Sequence, residues 1–339
     1  MPALAVADAL RARGADVEFA GGERAEAELV PAAGYPLHRL RVAGLDRRNP
    51  LRAATAAALA ARASARVRHL IRTMDAVLGG GGYVSGPAGL GAVTARVPLY
   101  LMEADSHLGI ANRLLAPFAR RVFLAFAIAG RDAPRYLVTG RPVPGTTTRT
   151  DRESARARFG IPPDAPCLLV FGGSLGARTL NEAAVEAFGA DPPVWVLHAC
   201  GRRDFAALRA RLDELGAPKR YVLEEYVEPF ADALASADLA AARAGGSVFE
   251  LAAAGVPAVL VPYPHATADH QSGNARWMAG GGAAVVISDD EIDAERLRGV
   301  TAELLGDRSR LAGMAAAARA LARPDAAEMI AEEVLGGLE

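Results

Sequence analysis

The sequence predicts an α/β protein built from two doubly wound parallel-sheet domains. Three observations carry that expectation. Short β-rich runs alternate with helical stretches along the whole chain, glycine-rich turns follow several of the runs, and one Pro/Gly/Thr-rich break divides the pattern into halves. Alternation of this kind argues for βα units whose sheets are covered on both faces. A length of 339 residues suits two cores better than one.

The chain opens on PALAVADALRARG, a helix without the basic leader of a signal peptide. The candidate strands of the first half are DVEFAGG (16–22), DAVLGG (75–80), VPLYLME (97–103) and RVFLAFA (121–127). The stretch TGRPVPGTTTRTDRES (139–154) reads as a linker, because Pro, Gly, Thr and charged residues crowd where one α/β block ends and another begins. Six further strands are expected beyond it: CLLVFGG (167–173), PVWVLHACG (193–201), RYVLEEY (220–226), DLAAARAG (238–245), PAVLVPYP (257–264) and AAVVISD (283–289). Pro324 then interrupts helical sequence and leaves a final amphipathic helix, DAAEMIAEEVLGGL. The expected domains are 1–140 and 141–322, followed by the terminal helix at 323–339.

Composition narrows the function classes. Hydrophobic residues make up 51% and charged residues 23%, the balance of a soluble globular chain rather than a disordered one. Basic and acidic residues number 38 and 39, so no net field draws the protein to nucleic acid, and no nucleic-acid partner is expected. Cys167 and Cys200 form neither a disulfide framework nor a metal spacing, which points to a reducing cytoplasm. No apolar run approaches the roughly 20 residues that span a bilayer.

Ligands of open parallel sheets bind beyond the C-terminal strand ends, where the chain turns into a helix. At LLVFGGSLGARTLNEA (168–183) a strand runs into Gly172-Gly173-Ser174 just before a helix. Glycines permit positive φ and close backbone approach, and free N–H groups at a helix start favour phosphate oxygens. The bland alternative is a tight βα turn. No GxxxxGK[ST] occurs, which argues against a P-loop nucleotidase. A second loop, LGGGGYVSGPAGLG (78–91), holds more glycine than a turn requires, with Tyr83 and Ser85 entering a helix. The third, ARAGGSVFELAAAGVP (242–257), puts Gly245-Gly246-Ser247 before a helix carrying Glu250. That carboxylate either complements the helix dipole or accepts hydrogen bonds from two vicinal ribose hydroxyls.

In PYPHATADHQSGNARW (262–277), Gln271 and Asn274 share a helical face, and amides suit sugar hydroxyls because each both donates and accepts. Asp269 reads equally as an N-cap. His265 and His270 lack a third ligand, so no metal and no cofactor is expected. His198, at a strand end, is either structural or ligand-contacting. Together the three glycine turns and the amide-rich helix start point to a ligand held between two α/β domains.

These motifs carry a resemblance. PALAVADALRARG, GGYVSGPAG, MEADSHLGIANRLLA (102–116), GGSLGARTLN, RAGGSVFELAAAGVPAVLVP and DHQSGNA resemble, in order and spacing, the MurG family of glycosyltransferases (glycosyltransferase family 28) over essentially the whole chain. The resemblance implies a GT-B fold, two Rossmann-like domains facing across a cleft, with the last helix returning to the N-terminal domain. It implies that the C-terminal domain binds UDP-GlcNAc. The N-terminal domain would take the acceptor, undecaprenyl-pyrophosphoryl-MurNAc-pentapeptide (lipid I), and inverting transfer would give lipid II. Donor-side matches are Gly173, Ser174, Arg178, Val227 (whose backbone would meet uracil, beside Tyr226), Gly246, Ser247, Glu250 on ribose, and Gln271 with Asn274 on the hexosamine. The loop before Glu250 is one residue shorter than the family's usual form. Tyr83, Ser85 and Asn112 match the acceptor side, and Glu103 and Asp105 are the candidate catalytic carboxylates.

The departures concern the first half. Met1 stands where the family has a strand, a GGTGGH-type loop and its candidate catalytic histidine. That implies impaired turnover of the chain as given, through either a start assigned too late or a diverged protein. An Asn of the family is Asp105, and a donor-binding Arg is Pro144, leaving Arg141 or Arg178 to substitute. A lipid-linked acceptor implies peripheral contact with the cytoplasmic face of the membrane. Nine arginines against the single acid Asp46 between Arg39 and Arg72 offer a candidate patch, on a helix with Leu59, Val67, Leu70 and Ile71. A solvated basic face is the alternative. Other readings of the same architecture are an enzyme like UDP-GlcNAc 2-epimerase and a UDP-sugar-binding remnant without turnover.

Overall fold

The structure is a computed structural model that describes residues 2–23, 26–40, 50–173, 176–266 and 269–338; the side chains of residues 50–58, 60 and 83 lie outside the description. In chain order the elements are α1 (Pro2–Arg11), β1 (Phe19–Gly21), α2 (Glu26–Ala32), β2 (Leu37–Arg39), α3 (Pro50–Ile71), β3 (Val77–Gly79), α4 (Gly82–Ala95), β4 (Leu99–Glu103), α5 (Ile110–Leu115), β5 (Arg121–Leu124) and β6 (Tyr136–Val138). After a 3-10 turn at Gly145–Thr148 come α6 (Arg152–Arg158), β7 (Cys167–Phe171), α7 (Arg178–Phe188), β8 (Trp195–Ala199), α8 (Phe205–Glu214), β9 (Tyr221–Glu224), α9 (Phe230–Ser236) and β10 (Leu239–Ala242). The remainder is α10 (Val248–Ala254), β11 (Ala258–Leu260), α11 (His270–Gly280), β12 (Ala284–Val286), α12 (Ala294–Gly306), α13 (Arg308–Leu321) and α14 (Ala326–Gly336). All ten expected strands are present. β2 and β6 went unread, because each is three residues long with most of its side chains half-buried or exposed, so no apolar run announces it.

The chain divides into two compact units, Met1–Pro144 with Arg323–Glu339, and Gly145–Ala322. The second unit holds one parallel sheet of six strands in the order β12-β11-β10-β7-β8-β9. Every residue of β7 and β10 is buried, as befits central strands covered on both faces. Helix α7 shows why its sequence folds against this sheet. Leu180, Ala183, Ala184, Ala187 and Phe188 recur at helical spacing and enter the same core as Leu168 and Val170.

The first unit is organised differently. β3-β4-β5-β6 form a four-stranded parallel sheet, while β1 and β2 pair in parallel as a separate two-stranded sheet. The same helices serve both sheets. Ala5, Val6 and Ala9 of α1 pack with Tyr100, Met102 and Phe123, while Ala7 packs with Val30 and Tyr35 beside the smaller sheet. On the opposite face, Val67 and Ile71 of α3 join a core with Leu99 and Leu101 against which Ala20 and Val77 also pack. Helix α14 closes the first face through Ala327, Ile330, Ala331 and Val334. The membrane-facing reading of α3 therefore needs correction. Val67 and Ile71 are buried, and its exposed side carries Arg62 and Arg66 instead, with exposed Arg72 just beyond its end. Arg41, Arg47 and Arg48 lie outside the described residues.

Candidate active site

In the second unit, β7 and β10 adjoin at the centre of the sheet, with β8 and β9 on one side and β11 and β12 on the other. The chain thus leaves β7 toward one side, to β8, and leaves β10 toward the other, to β11, a topological switch point whose diverging loops open a crevice at the C-terminal strand ends. The two glycine turns of this unit occupy those two loops. Their placement follows from topology, and their composition from sterics. A Cβ on Gly172 would collide with Ala177, and one on Gly176 with the Cys200 carbonyl oxygen. Gly173 and Gly176 have φ of 87° and 76°, in the region glycine alone adopts freely. The Gly176 amide donates to the Gly173 carbonyl at 2.9 Å, and α7 starts directly after, with Ala177 at its N-cap. Ser174 lies outside the described residues.

The loop after β10 is braced from below. Asn274 is buried on α11, and its Nδ2 donates to the carbonyls of Ala244 and Gly245 at 2.9 and 3.3 Å. Arg243, also buried, donates to the Val261 carbonyl at 3.1 Å and pairs with Asp289 at 2.6 Å. Gln271 accepts from the Tyr263 amide at 2.9 Å through Oε1, tying the start of α11 to the loop after β11. Gly246, Ser247 and Glu250 are half-buried at the start of α10. Burial pushes the Tyr226 hydroxyl above its ordinary pKa, and the charges of Glu228 and Glu250 add to that shift, so the aromatic after β9 and the carboxylate of α10 share one field. Val227 is buried beside exposed Tyr226. Arg178 is exposed and stands 3.7 Å from Asp204.

In the first unit the glycine loop after β3 enters α4 through Gly81 and Gly82, with φ of 86° and 74°. Ser85 is buried, and its hydroxyl donates to the Gly81 carbonyl at 2.9 Å. Tyr83 sits at the start of α4. Glu103 ends β4 with both carboxylate oxygens engaged: Oε1 accepts from the Asp105 amide at 3.2 Å, and Oε2 from the Gly109 amide at 2.8 Å and from Asn112 at 3.0 Å. The same Asn112 amide donates to the Met102 carbonyl at 2.8 Å. Glu103 and Asn112 thus shape the loop between β4 and α5, which carries Asp105 half-buried on its way. Glu103 is committed to three N–H groups, whereas Asp105 sits at the turn itself.

Sequence reading missed the support beneath the first turn. His198 and Asn181 are fully buried and joined by a hydrogen bond of 3.0 Å, and Tyr221 lies 2.8 Å from the other ring nitrogen. The signal was available, since a histidine inside an apolar strand must find partners. Among the described residues no group of three or more His, Cys, Asp and Glu side chains is placed to hold a metal ion, and no helix is long and apolar enough to cross a membrane.

Two α/β units, each with parallel strands and with glycine turns at C-terminal strand ends, define a protein of the GT-B fold class, and the solved structure of MurG from Acinetobacter baumannii shares the fold. It is 30% identical, with a TM-score of 0.73 over 99% of this chain and 95% of that one. The model of the glycosyltransferase family 28 N-terminal domain matches residues 1–124 and that of the C-terminal domain residues 167–330. The chain belongs to glycosyltransferase family 28. Among its relatives, the UDP-N-acetylglucosamine–N-acetylmuramyl-(pentapeptide) pyrophosphoryl-undecaprenol N-acetylglucosamine transferase of Rubrobacter xylanophilus is 43% identical over 97% of this chain and 98% of its own length. The protein of the same name from Moorella thermoacetica is 41% identical over 100% and 95%.

Proposed function

We propose that the protein transfers N-acetylglucosamine from UDP-N-acetylglucosamine to the muramyl hydroxyl of lipid I, with inversion, giving lipid II for peptidoglycan synthesis. The observation that supports this most is the pair of glycine turns at the β7/β10 switch point, in a chain similar to transferases of that name over nearly their full length. The turn after β7 takes the diphosphate: backbone N–H groups at the start of α7 meet the charge that grows on departing UDP, and they do so preorganised. Glu250 accepts the ribose hydroxyls, the Val227 backbone reads uracil beside Tyr226, and Gln271 reads the sugar. Asn274 holds the second turn in shape. Pro144 leaves the donor-side arginine role to Arg178, which the Asp204 carboxylate steadies. Asp105 receives the acceptor proton, on a loop that Glu103 and Asn112 shape.

The lipid-linked acceptor places the protein at the cytoplasmic face of the membrane, held peripherally. On adjoining elements of the first unit, Leu114 and Phe118 are 66% and 63% exposed and Leu90 is 46% exposed, near the exposed cations Arg113 and Arg120. An apolar patch rimmed by arginines suits anionic headgroups over an acyl boundary.

Calorimetry with UDP-N-acetylglucosamine, followed by a transfer assay with the sugar labelled and lipid I as acceptor, tests the reading. Saturable donor binding and a labelled lipid product are expected. A folded sample without affinity for the donor, or one that releases free sugar and labels no lipid, overturns it.

A further inference from the structure

Beneath the turn after β7 runs a chain of buried polar groups. Tyr221 of β9 lies 2.8 Å from His198 Nδ1, and His198 Nε2 lies 3.0 Å from Asn181 Oδ1. Asn181 Nδ2 donates to the Cys200 carbonyl at 2.9 Å and to Asp204 Oδ2 at 3.0 Å. The direction of every bond follows from the donor and acceptor inventory. A carbonyl and a carboxylate only accept, so the NH₂ of Asn181 must face them and its oxygen must face the histidine. His198 Nε2 therefore donates, Nδ1 accepts, and the Tyr221 hydroxyl donates to it. Burial supports the neutral ring this requires, pushing the His198 pKa down to about 3.

The chain ends at the turn itself. The Cys200 carbonyl that Asn181 holds is the atom a Cβ on Gly176 would strike, so the turn's backbone rests on that carbonyl, and Asn181 Nδ2 stands close to the same α-carbon. Asp204, the other acceptor, receives Arg203 at 3.0 Å and stands 3.7 Å from Arg178, the first residue of α7. Hydrogen bonding from Arg203 holds the Asp204 carboxyl below the usual range against its partial desolvation, with Asn181 and Arg178 adding to the effect. One relay thus sets both the height of the glycine turn and the carboxylate that orients the arginine beside it. Its members are too buried to touch a ligand.

We propose that His198, acting through Asn181 and set by Tyr221, is a positioning residue for the diphosphate of the donor. The proposal rests on the donor reading above. It is tested by comparing ligands that share the nucleoside and differ in one phosphate, UDP and UMP, titrated by calorimetry into the full chain. His198→Phe keeps the bulk and removes both polar contacts. Its preference for UDP over UMP should fall about tenfold, with donor KM rising and UMP affinity little changed. His198→Gln, which can still donate toward Asn181, should retain the preference to within about threefold. Tyr221→Phe should show a smaller loss of the same kind, and it decides the matter if His198→Phe does not fold. Equal losses for UDP and UMP, or an unchanged preference in folded His198→Phe and Tyr221→Phe, overturn the proposal. Wild-type protein that binds UMP and not UDP more tightly sinks the donor reading and this inference with it.

Discussion

The two units answer the same need, a loop held at the end of a parallel strand, with different means. In the second, six strands form one sheet, and the turn at its switch point sits on neutral buried groups: an imidazole, an amide and a phenol. In the first, the strands are split between two sheets, and the loop after β4 is shaped by a carboxylate accepting from backbone and amide N–H groups. Neutral hydrogen-bond chains suit a dry interior, where an unpaired charge costs several kcal/mol. Glu103 is itself buried, and the charge of its carboxylate is held there by three charge-assisted hydrogen bonds.

The opposite, N-terminal edges of the sheets give the largest contrast. In the second unit Arg156 is buried and donates to the carbonyls of Ser236, Pro162, Pro163 and Ala165 as well as to Asp238 at 2.7 Å. Asp238 in turn accepts from the Cys167 amide at 2.8 Å, joining the starts of β7 and β10. In the first unit the comparable cation, Arg121, meets Glu333 of α14 at 3.4 Å with both side chains well exposed. Arg156→Ala should cost about 2–4 kcal/mol, because it removes the buried donor shared by four carbonyls, while Asp238 keeps Arg152 and the Cys167 amide. Arg121→Ala should cost about 0–1 kcal/mol. Denaturant unfolding of the two variants checks both, and equal costs would erase the distinction between the edges.

Acid separates the units next. His198 has a folded-state pKa of about 3 against an ordinary value near 6.5, and the groups facing it are Tyr221, Asn181 and, through Asn181, Asp204. Between those values the unfolded chain takes up a proton that the folded chain refuses. The associated stability is complete above pH 6.5 and falls as pH drops toward 3, by about 1.4 kcal/mol per pH unit. From pH 6.5 to pH 5 the second unit should thus lose about 2 kcal/mol through this group. His198→Phe should remove that component. The difference between wild-type and variant denaturation curves at pH 7, 6 and 5 measures it, and parallel curves would show that the ring is already charged or solvated.

How much of this could be read beforehand depended on whether a residue's part lay in its own neighbourhood. Strands such as CLLVF and the turns at Gly172 and Gly245 announced themselves, because apolar runs and glycine need only local sterics. The parts of Asn274, Ser85 and Asn112 did not. Each was legible as a polar residue beside a site. Yet the structure buries each and engages it with a backbone carbonyl, and only tertiary packing decides which way an amide or hydroxyl faces. The pairing of β1 with β2 as a separate sheet was not legible in their own residues. β1 and β2 read as ordinary strand and loop, and which edges pair depends on the helices laid over both. His198 lies between these cases, flagged as odd by its strand and explained only by Asn181 arriving from α7.

The smallest expected change in stability divides bracing from chemistry within the first unit. Glu103 and Asp105 are two residues apart at the end of β4, and composition alone makes them equal candidates for the base. Glu103→Gln replaces one acceptor oxygen with an NH₂ that faces N–H donors, so one of its contacts with the amides of Asp105 and Gly109 or with Asn112 is lost. About 1–3 kcal/mol of stability should go with it. Asp105→Asn removes no such contact and should leave stability within about 0.5 kcal/mol. Turnover should divide the other way. With Asp105 as the proton acceptor, kcat falls on the order of a hundredfold or more in Asp105→Asn while UDP binding is kept. Thermal unfolding and transfer rates of the two variants, measured side by side, test both halves. If Glu103→Gln is the inactive and stable one, the carboxylates have been assigned in reverse, and a clasp that looks structural is where the proton goes.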